Sequence, residues 1–475
     1  MARTQYDLAV IGGGSGGLTA AQVATSLGAK VLLIDKQRLG GDCLNYGCIP
    51  SKSLLYVARV LHQARQAEHL GLGSLHLAID MDKINTYIQA VISKVAEEEQ
   101  SFVEGVTVAL GNVAFRSPTE LLLNDTVVTA SNTIIATGSH PVIPRIPGLE
   151  EAGYLTNEDV FNLLELPASI VIVGGGPVGV EMSQALARLG TRVTIIQRAE
   201  RILPKEDPEI SALLAETLQS EGITIITGAS LVEAERAGEK KMVTVKRGEQ
   251  ISRYTTDELL LAAGREPNVD HLSLEAAGIK YNQQGIQVDD YLRTSASNIF
   301  AIGDVIGGYL FTHVATYQAG KAVRNALFPI GKKKVDYQVV PWCTFSDPEV
   351  AHIGLTPAEA EQHDKRVRIV RLPFSTIDRA QTENETTGFI KLVLSGKKDT
   401  IVGAHIIGVG AGELLGELAL AMRKKLTIND IYNTIHPYPT INMGIQQAAF
   451  AAYLSSTATT TNRRVVSALR SLRKQ

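Results

Sequence analysis

Residues 40–52 read GGDCLNYGCIPSK, and Cys43 and Cys48 stand five positions apart within them. A thiol pair can hold a soft metal, close a structural bridge, or gain and lose two electrons as a dithiol and a disulfide. A structural zinc site takes four ligands, and no second Cys or His pair lies near these two in the sequence, so no resident metal is expected. A bridge between residues this close would shut a loop too short to add much stability. The third cysteine, Cys343 in PWCTFSDPEV, is read as a packed strand residue, since cysteine is among the most buried side chains. Which chemistry Cys43 and Cys48 perform depends on what the surrounding elements bring to them.

The segment just before them, YDLAVIGGGSGGLTAAQVATSLGAKVLLID, has the order strand, glycine turn, helix, strand. Its Gly12-x-Gly14-x-x-Gly17 turn is a dinucleotide fingerprint. Gly12 permits the tight turn, Gly14 lets the backbone approach a pyrophosphate, and Gly17 lets the helix pack closely on the strand. The helix start offers free N–H groups to phosphate, and Asp35 at the end of the second strand can accept bonds from a ribose diol. The pattern returns in ASIVIVGGGPVGVEMSQALARLGTRVTIIQR, with Gly174, Gly176 and Gly179 in the turn and Gln197 in the place of Asp35. Two such sites in one chain suggest a flavin that receives hydride from a nicotinamide.

Between the repeats, residues 55–105 read as helices with solvated charged faces, and the stretch from VTVALG to IIATGS reads as short strands that complete the first domain. HPVIPRIPG, residues 140–148, is a proline-rich crossing between domains. After about residue 335 the strands GFIKLVLSG and IVGAHIIG, followed by helices, mark a third, α+β unit. The expected fold is α/β, with two Rossmann-like dinucleotide-binding domains and a C-terminal α+β dimerisation domain. Its expected parts are a first FAD-binding segment 1–148, an NAD(P)H-binding domain 149–275, a second FAD-binding segment 276–336 and an interface domain 337–475.

At 45% hydrophobic and 20% charged residues with a net charge of −3, the chain lacks the basic stripe of a nucleic-acid binder. It enters its first strand without an apolar leader of signal-peptide length, and it holds no uncharged run of about 18 apolar residues. A cytoplasmic location is therefore expected. The basic tail RRVVSALRSLRKQ could lie along an anionic membrane or protein surface, but it reads first as a solvated terminal helix.

Taken in order, GGGSGG, GGDCLNYGCIPSK, IIATGS, GGGPVGVE, LAAGREPN and NIFAIGDV resemble the flavin-dependent pyridine nucleotide–disulfide oxidoreductases over nearly the whole chain. That family includes dihydrolipoamide dehydrogenase, glutathione reductase and mercuric reductase. The resemblance implies a redox-active Cys43–Cys48 pair, with Cys48 beside the flavin and Cys43 as the outer thiol that meets the substrate. It implies that Lys52 stabilises negative charge on the flavin and that Glu181 orients Lys52. It assigns Thr137, Gly138, Gly303, Asp304 and Ala315 to the FAD site along with the first fingerprint, and Gly264 with Arg198 to the nicotinamide site. It also implies a homodimer.

Two features separate members of the family. Gln197 and Arg198 leave no carboxylate to repel a 2′-phosphate and supply a guanidinium to bind one, which favours NADPH over NADH. NADPH-using glutathione reductases carry a second arginine where this chain has Pro204, with Arg201 and Lys205 as substitutes nearby, and often an alanine in place of Gly179. Near the C-terminus, disulfide reductases carry a His-Pro-Thr whose histidine works as acid and base from the partner subunit, with a glutamate three residues later. Here Tyr438 and Met443 hold those two positions, and His436 is an upstream loop residue expected to point elsewhere. A phenol with a pKa near 10 is a poor proton shuttle at neutral pH. Tyrosine is what mercuric reductases carry there, although their terminal cysteine pair has no counterpart in this sequence. The expected acceptor is a soft metal ion or a thiol–disulfide substrate. The alternatives are dihydrolipoamide and, in another class, a protein-bound thiol carrier reached by docking.

Overall fold

A computed structural model describes residues 5–73 and 77–457, so the basic tail lies outside the described residues. By contact density the chain divides into one unit of Met1–Arg198 with Ile223–Asp336, and a second of Ala199–Gly222 with Tyr337–Gln475.

Buried apolar runs such as LAVI at 8–11 and VLLI at 31–34 make the first unit's inner strands, as expected for parallel strands covered on both faces, while Thr126–Ile135 is partly polar and is continuously buried only over its last three residues. Gln5–Ile11 lies between Val31–Asp35 and Thr126–Ile135, all parallel, with Thr107–Leu110 beyond Val31–Asp35. The ten-residue strand Thr126–Ile135 has two partners on its other side. Its first half pairs antiparallel with Glu120–Leu123, and its second half pairs parallel with Ile299–Ala301. The parallel strands all end at one edge of the sheet. There the chain leaves as the Gly12 turn, as Thr137–Gly138 and as Gly303–Asp304, which is the edge where such sheets bind ligands.

A second parallel sheet, in the order Thr224–Ile226, Arg192–Ile196, Ser169–Val173 and Glu258–Leu261, ends in the same manner at Gly174, Gln197 and Ala262. The helix Pro177–Arg188 follows its glycine turn, with Pro177 at the first helical position, where its missing N–H costs nothing. The fold is α/β, with two Rossmann-like sheets in this unit.

The second unit is built on five antiparallel strands in the order Pro341–Thr344, Glu349–Gly354, Thr400–Gly408, Phe389–Ser395 and Val367–Pro373. The period-two alternation of strand side chains divides its faces. One face carries Ala351, Ile353, Ile390, Leu392, Ala404 and Ile406 into an apolar core, against which Cys343 also packs. The other carries a row of paired positions running from Trp342 through His352, His405 and Lys391 to Arg371. That second face meets the segment Ala199–Gly222, whose helix Pro208–Ser220 is capped by Asp207. Lys391 Nζ donates to Asp207 Oδ1 at 2.7 Å and lies 3.0 Å from Glu209 Oε2. Burial, with His352 beside it, lowers the His405 imidazole from its ordinary value to about 4. No helix among the described residues is long and apolar enough to cross a membrane.

Candidate active site

Cys43 lies in the short helix Gly41–Asn45, and Cys48 is the first residue of the 19-residue helix Cys48–Gln66. Both are free thiols and both are half-buried. Cys48 Sγ stands 3.6 Å from Thr312 Oγ1. The two thiols interact with one another, and that interaction drives their titrations apart. That interaction, the Thr312 hydroxyl and the charge of Lys52 together lower Cys48 to about 6 despite its burial. The helix start adds to the same effect. The same interaction and burial push Cys43 well above an ordinary thiol. The pair thus gives up its first proton readily and its second with difficulty, with Cys48 the more acidic of the two.

One turn along the same helix, Lys52 Nζ donates to Glu181 Oε2 at 2.8 Å. Glu181 comes from the helix Pro177–Arg188 and is 4% exposed, so this carboxylate is no solvated helix-surface residue. A buried acid keeps its charge only beside a cation, and the ammonium is thereby aimed by a rigid partner. These four residues, expected to act together, are brought together.

The glycine turns differ from one another in a way that tests the cofactor assignment. A Cβ built on Gly17 would sit 1.8 Å from the Gly12 carbonyl oxygen, and one on Gly179 would sit 1.9 Å from that of Gly174. These two are glycine because helix and turn are in contact, and alanine has no room at Gly179. Gly12 and Gly174 have φ of +106° and +117° and approach the next strand's end, at Ala136 and Ala262. Gly14 and Gly176 have neither reason, because each has ordinary extended backbone. A Cβ on Gly14 would meet only Gly41 Cα at 3.6 Å, and one on Gly176 nothing within 4 Å. What a side chain would fill there is the space in front of two helix N-termini that carry no side-chain cap. Bare backbone beside free N–H groups fits a pyrophosphate at both places. Gly14→Ala should therefore leave folding intact but weaken FAD retention at least about tenfold, read as flavin absorbance per subunit after gel filtration against flavin-free buffer.

Asp35 Oδ2 accepts from Gly13 N at 2.7 Å, and Gln197 Oε1 accepts from Gly175 N at 3.1 Å. The two side chains occupy equivalent places in the two turns, one anionic and one neutral. Gln197 is buried, while the neighbouring Arg198 is exposed.

Thr137 and Gly138 precede the short strand Ser139–Pro141, which pairs with Arg265–Pro267 just after Gly264. Thr137 Oγ1 donates to Asn268 O, and Asn268 Nδ2 donates back to Thr137 O. Arg265 gathers the neighbouring turns. It donates to Ser139 Oγ and O at 2.8 and 2.9 Å, and it stands 3.3 Å from Asp42 and 3.9 Å from Asp304. Ser139 Oγ in turn donates to Asp304 Oδ2 at 2.6 Å, and burial raises Asp304 above the usual carboxylate range. Ala315 packs beneath two glycines, so a Cβ on Gly16 or Gly303 would lie 3.3 Å from its methyl group. Arg265, Asp42, Ser139, Asn268 and Thr312 were not singled out from the sequence. Asp42, Ser139, Arg265 and Asn268 all lie inside the motifs GGDCLNYGCIPSK, IIATGS and LAAGREPN, which were the available signal, and only Thr312 lies outside them.

In the second unit Tyr438 is 67% exposed, and its hydroxyl donates to Asp378 Oδ2 at 3.0 Å. That carboxylate raises the phenol above its ordinary value, which makes it a still weaker acid. His436 is buried, with Nε2 at 3.0 Å from Glu417 and Nδ1 at 2.9 Å from the Thr434 carbonyl. Both ring nitrogens are engaged within the unit, so His436 does not face outward as a proton donor. Met443 opens the helix Met443–Thr457.

Residues 6–319 match the family described as pyridine nucleotide-disulphide oxidoreductase, and residues 340–449 match its dimerisation domain. A mercuric reductase of Staphylococcus aureus is 34% identical over 448 residues, covering 94% of this chain and 82% of that one. A dihydrolipoyl dehydrogenase of Bacillus subtilis strain 168 is 36% identical over 469 residues, covering 94% and 98%. The solved Cu(II) complex of the HOCl-induced flavoprotein disulfide reductase RclA from Escherichia coli superposes with a TM-score of 0.86 at 27% identity, covering 95% of this chain and 100% of that one.

Proposed function

The chain belongs to the pyridine nucleotide-disulphide oxidoreductases, and from that premise we propose that it carries electrons from NADPH through Cys43 and Cys48 to a soft metal ion or a thiol-bound acceptor. As a member of the family it is an FAD-dependent oxidoreductase that uses a pyridine nucleotide. FAD, when bound, supplies the two-electron link between a nicotinamide and a disulfide. The remaining steps belong to the protein's own groups.

One hydride equivalent carries two electrons and one proton. Delivered to the Cys43–Cys48 disulfide it breaks the S–S bond and leaves one thiol and one thiolate. The site suits that product: Cys48 opens a helix, meets the Thr312 hydroxyl at 3.6 Å and feels the Lys52 ammonium that Glu181 aims, all of which favour the anion at Cys48 over Cys43. This placement is the observation that carries the reading. Glu181 fixes the Lys52 ammonium, whose charge acts on Cys48, and Thr312 supplies a hydroxyl to the Cys48 sulfur. The dithiol then binds a metal ion such as Hg(II) between its two sulfurs, releases the Cys43 proton, returns two electrons to the metal and closes the disulfide again.

The titration of the pair has a direct consequence. Alkylation of the dithiol form by iodoacetamide should rise as pH crosses about 6 and level off near pH 7. An ordinary thiol would still be gaining rate up to about pH 8.5. Cys48 is the depressed group, so lowering the pH through 6 protonates it and stops the reaction.

Gln197 and Arg198 support NADPH as the donor, because the neutral amide takes the structural hydrogen bond that Asp35 makes in the first turn without setting a carboxylate against a 2′-phosphate. Tyr438 supports an acceptor other than lipoamide, since a phenol already committed to Asp378 and weakened as an acid is a poor replacement for a shuttling imidazole. The dimerisation-domain match supports a homodimer in which Tyr438 of one subunit approaches Cys43 of the other. Cytoplasmic work suits a reducible thiol pair. The 36% identity that spans 98% of a dihydrolipoyl dehydrogenase keeps lipoamide as the second reading.

The two readings separate in steady-state NADPH consumption with thiol-complexed Hg(II) and with lipoamide. The expected kcat/KM is at least about tenfold higher for Hg(II), and higher with NADPH than with NADH. Faster lipoamide turnover would install the second reading. Turnover of neither, with the disulfide still reduced, would point to a docked protein carrying the acceptor.

A further inference from the structure

We propose that Glu206, His352 and His405 form a divalent transition-metal site of the zinc class within the second unit. The site uses none of the three cysteines and is independent of the electron-transfer reading above. His352 and His405 are paired residues on adjacent strands, so their imidazoles stand side by side, with ring centroids 4.5 Å apart and planes nearly perpendicular. Glu206 reaches them from the covering segment. One ligand atom from each of the three residues lies within 4.8 Å of the other two, and all three residues are buried.

The tautomers are set by backbone. His352 Nε2 is 3.0 Å from the Gly354 carbonyl and His405 Nε2 is 2.9 Å from the Leu355 carbonyl, so each Nε2 carries a proton and donates it. Metal-binding histidines are held in this way, with one ring N–H on a carbonyl and the other nitrogen turned to the ion. Both Nδ1 atoms are left for the cluster. His352 Nδ1 lies 3.0 Å from Glu206 Oε2, while Glu206 Oε1 accepts from Trp342 Nε1 at 2.7 Å. Trp342 also stacks on His352, with centroids 3.7 Å apart.

An ion pair alone accounts for Glu206 and His352 but not for His405. Its ring is fully buried and its Nδ1 has no hydrogen-bond partner. A buried unpaired acceptor costs about 1–3 kcal/mol unless something occupies it, and no donor among the described residues does. A metal ion satisfies it. The ion replaces the single proton between His352 Nδ1 and Glu206 Oε2, releasing it to solvent, and takes the His405 lone pair as its third bond. Two imidazoles and one carboxylate are a recurrent zinc set with a fourth position for water, and imidazole also suits Co(II), Ni(II) and Cu(II). Tetrahedral geometry brings ligand atoms to roughly 3.3 Å of one another, a small contraction from this arrangement.

The test uses the flavin-loaded protein with Cys43–Cys48 oxidised, produced in medium supplemented with zinc or with Co(II), since so enclosed a site fills most readily during folding. The expected result is about one ion per subunit by mass spectrometry. The Co(II) form should show visible d–d absorbance without a thiolate charge-transfer band. His405→Ala should lower occupancy at least about tenfold, and so should Glu206→Gln, which keeps the Trp342 contact and guards against a simple cavity effect. Retained flavin identifies a folded variant. Less than a tenth of an ion per subunit in the unaltered protein would overturn the proposal. Full occupancy in either folded variant would overturn it equally.

Discussion

Cys48→Ser is expected to cut acceptor reduction at least about a thousandfold while leaving bound flavin in place. A hydroxyl has no accessible anion at neutral pH and forms no disulfide, so both the charge at position 48 and the two-electron store disappear together. The loss is not one of packing, because serine nearly matches cysteine in volume and the site is only half-buried. Cys43→Ser should lose acceptor turnover to a similar degree but keep a titratable thiol at Cys48. The serine hydroxyl can still donate to the Cys48 sulfur, so the titration of that thiol should stay well below an ordinary thiol's. Stopped NADPH consumption with unchanged visible absorbance per subunit is the measurement. Comparable turnover in both serine variants would mean that electrons pass to the acceptor without the pair.

Lys391→Met is expected to destabilise the second unit by about 3–5 kcal/mol. Lys391 and Asp207 side chains are 7% and 3% exposed, and their ion pair is 2.7 Å long. Methionine fills the stem's space but leaves the Asp207 carboxylate buried without its cation, and Asp207 must stay in place because it caps the helix Pro208–Ser220. In a unit of this size the loss corresponds to roughly 10 °C in its melting temperature. Calorimetry should show this as a transition moving down while the flavin-bound unit is little changed. A shift under about 2 °C would show that Asp207 relaxes into solvent.

The strand–turn–helix units with Gly12 and Gly174 were legible in the sequence because every local signal agreed there: apolar strand, glycine spacing, helix, second strand. The strands after about residue 335 read as a separate α+β unit on their own pattern, whereas the redox role of Cys43 and Cys48 came from the resemblance. Lys52 and Glu181 were paired through the resemblance alone. Nothing local in GVEMSQ says that Glu181 is buried, because burial there comes from a helix packed across from a different part of the chain. The Arg265 fork was missed for a like reason, since Asp42, Ser139 and Asp304 converge only once three parallel strands end at one edge. Trp342, His352, His405 and Lys391 were missed more completely. Each sits singly between apolar neighbours, as in VAHIG, GAHIIG and FIKLV, and reads as an isolated polar residue in a strand. Only strand pairing sets them in one row, and the acids that face them belong to the segment Ala199–Gly222, which the sequence places inside the nicotinamide domain and contact density groups with the second unit.

The central claim is that reducing equivalents from the nicotinamide come to rest on Cys43 and Cys48. It is tested most directly by counting thiols before and after anaerobic addition of one equivalent of NADPH to the oxidised holoenzyme, with iodoacetamide labelling mapped by mass spectrometry. Label should be newly gained at Cys43 and Cys48 and unchanged at Cys343. NADPH oxidation with no gain of label at either position would contradict it.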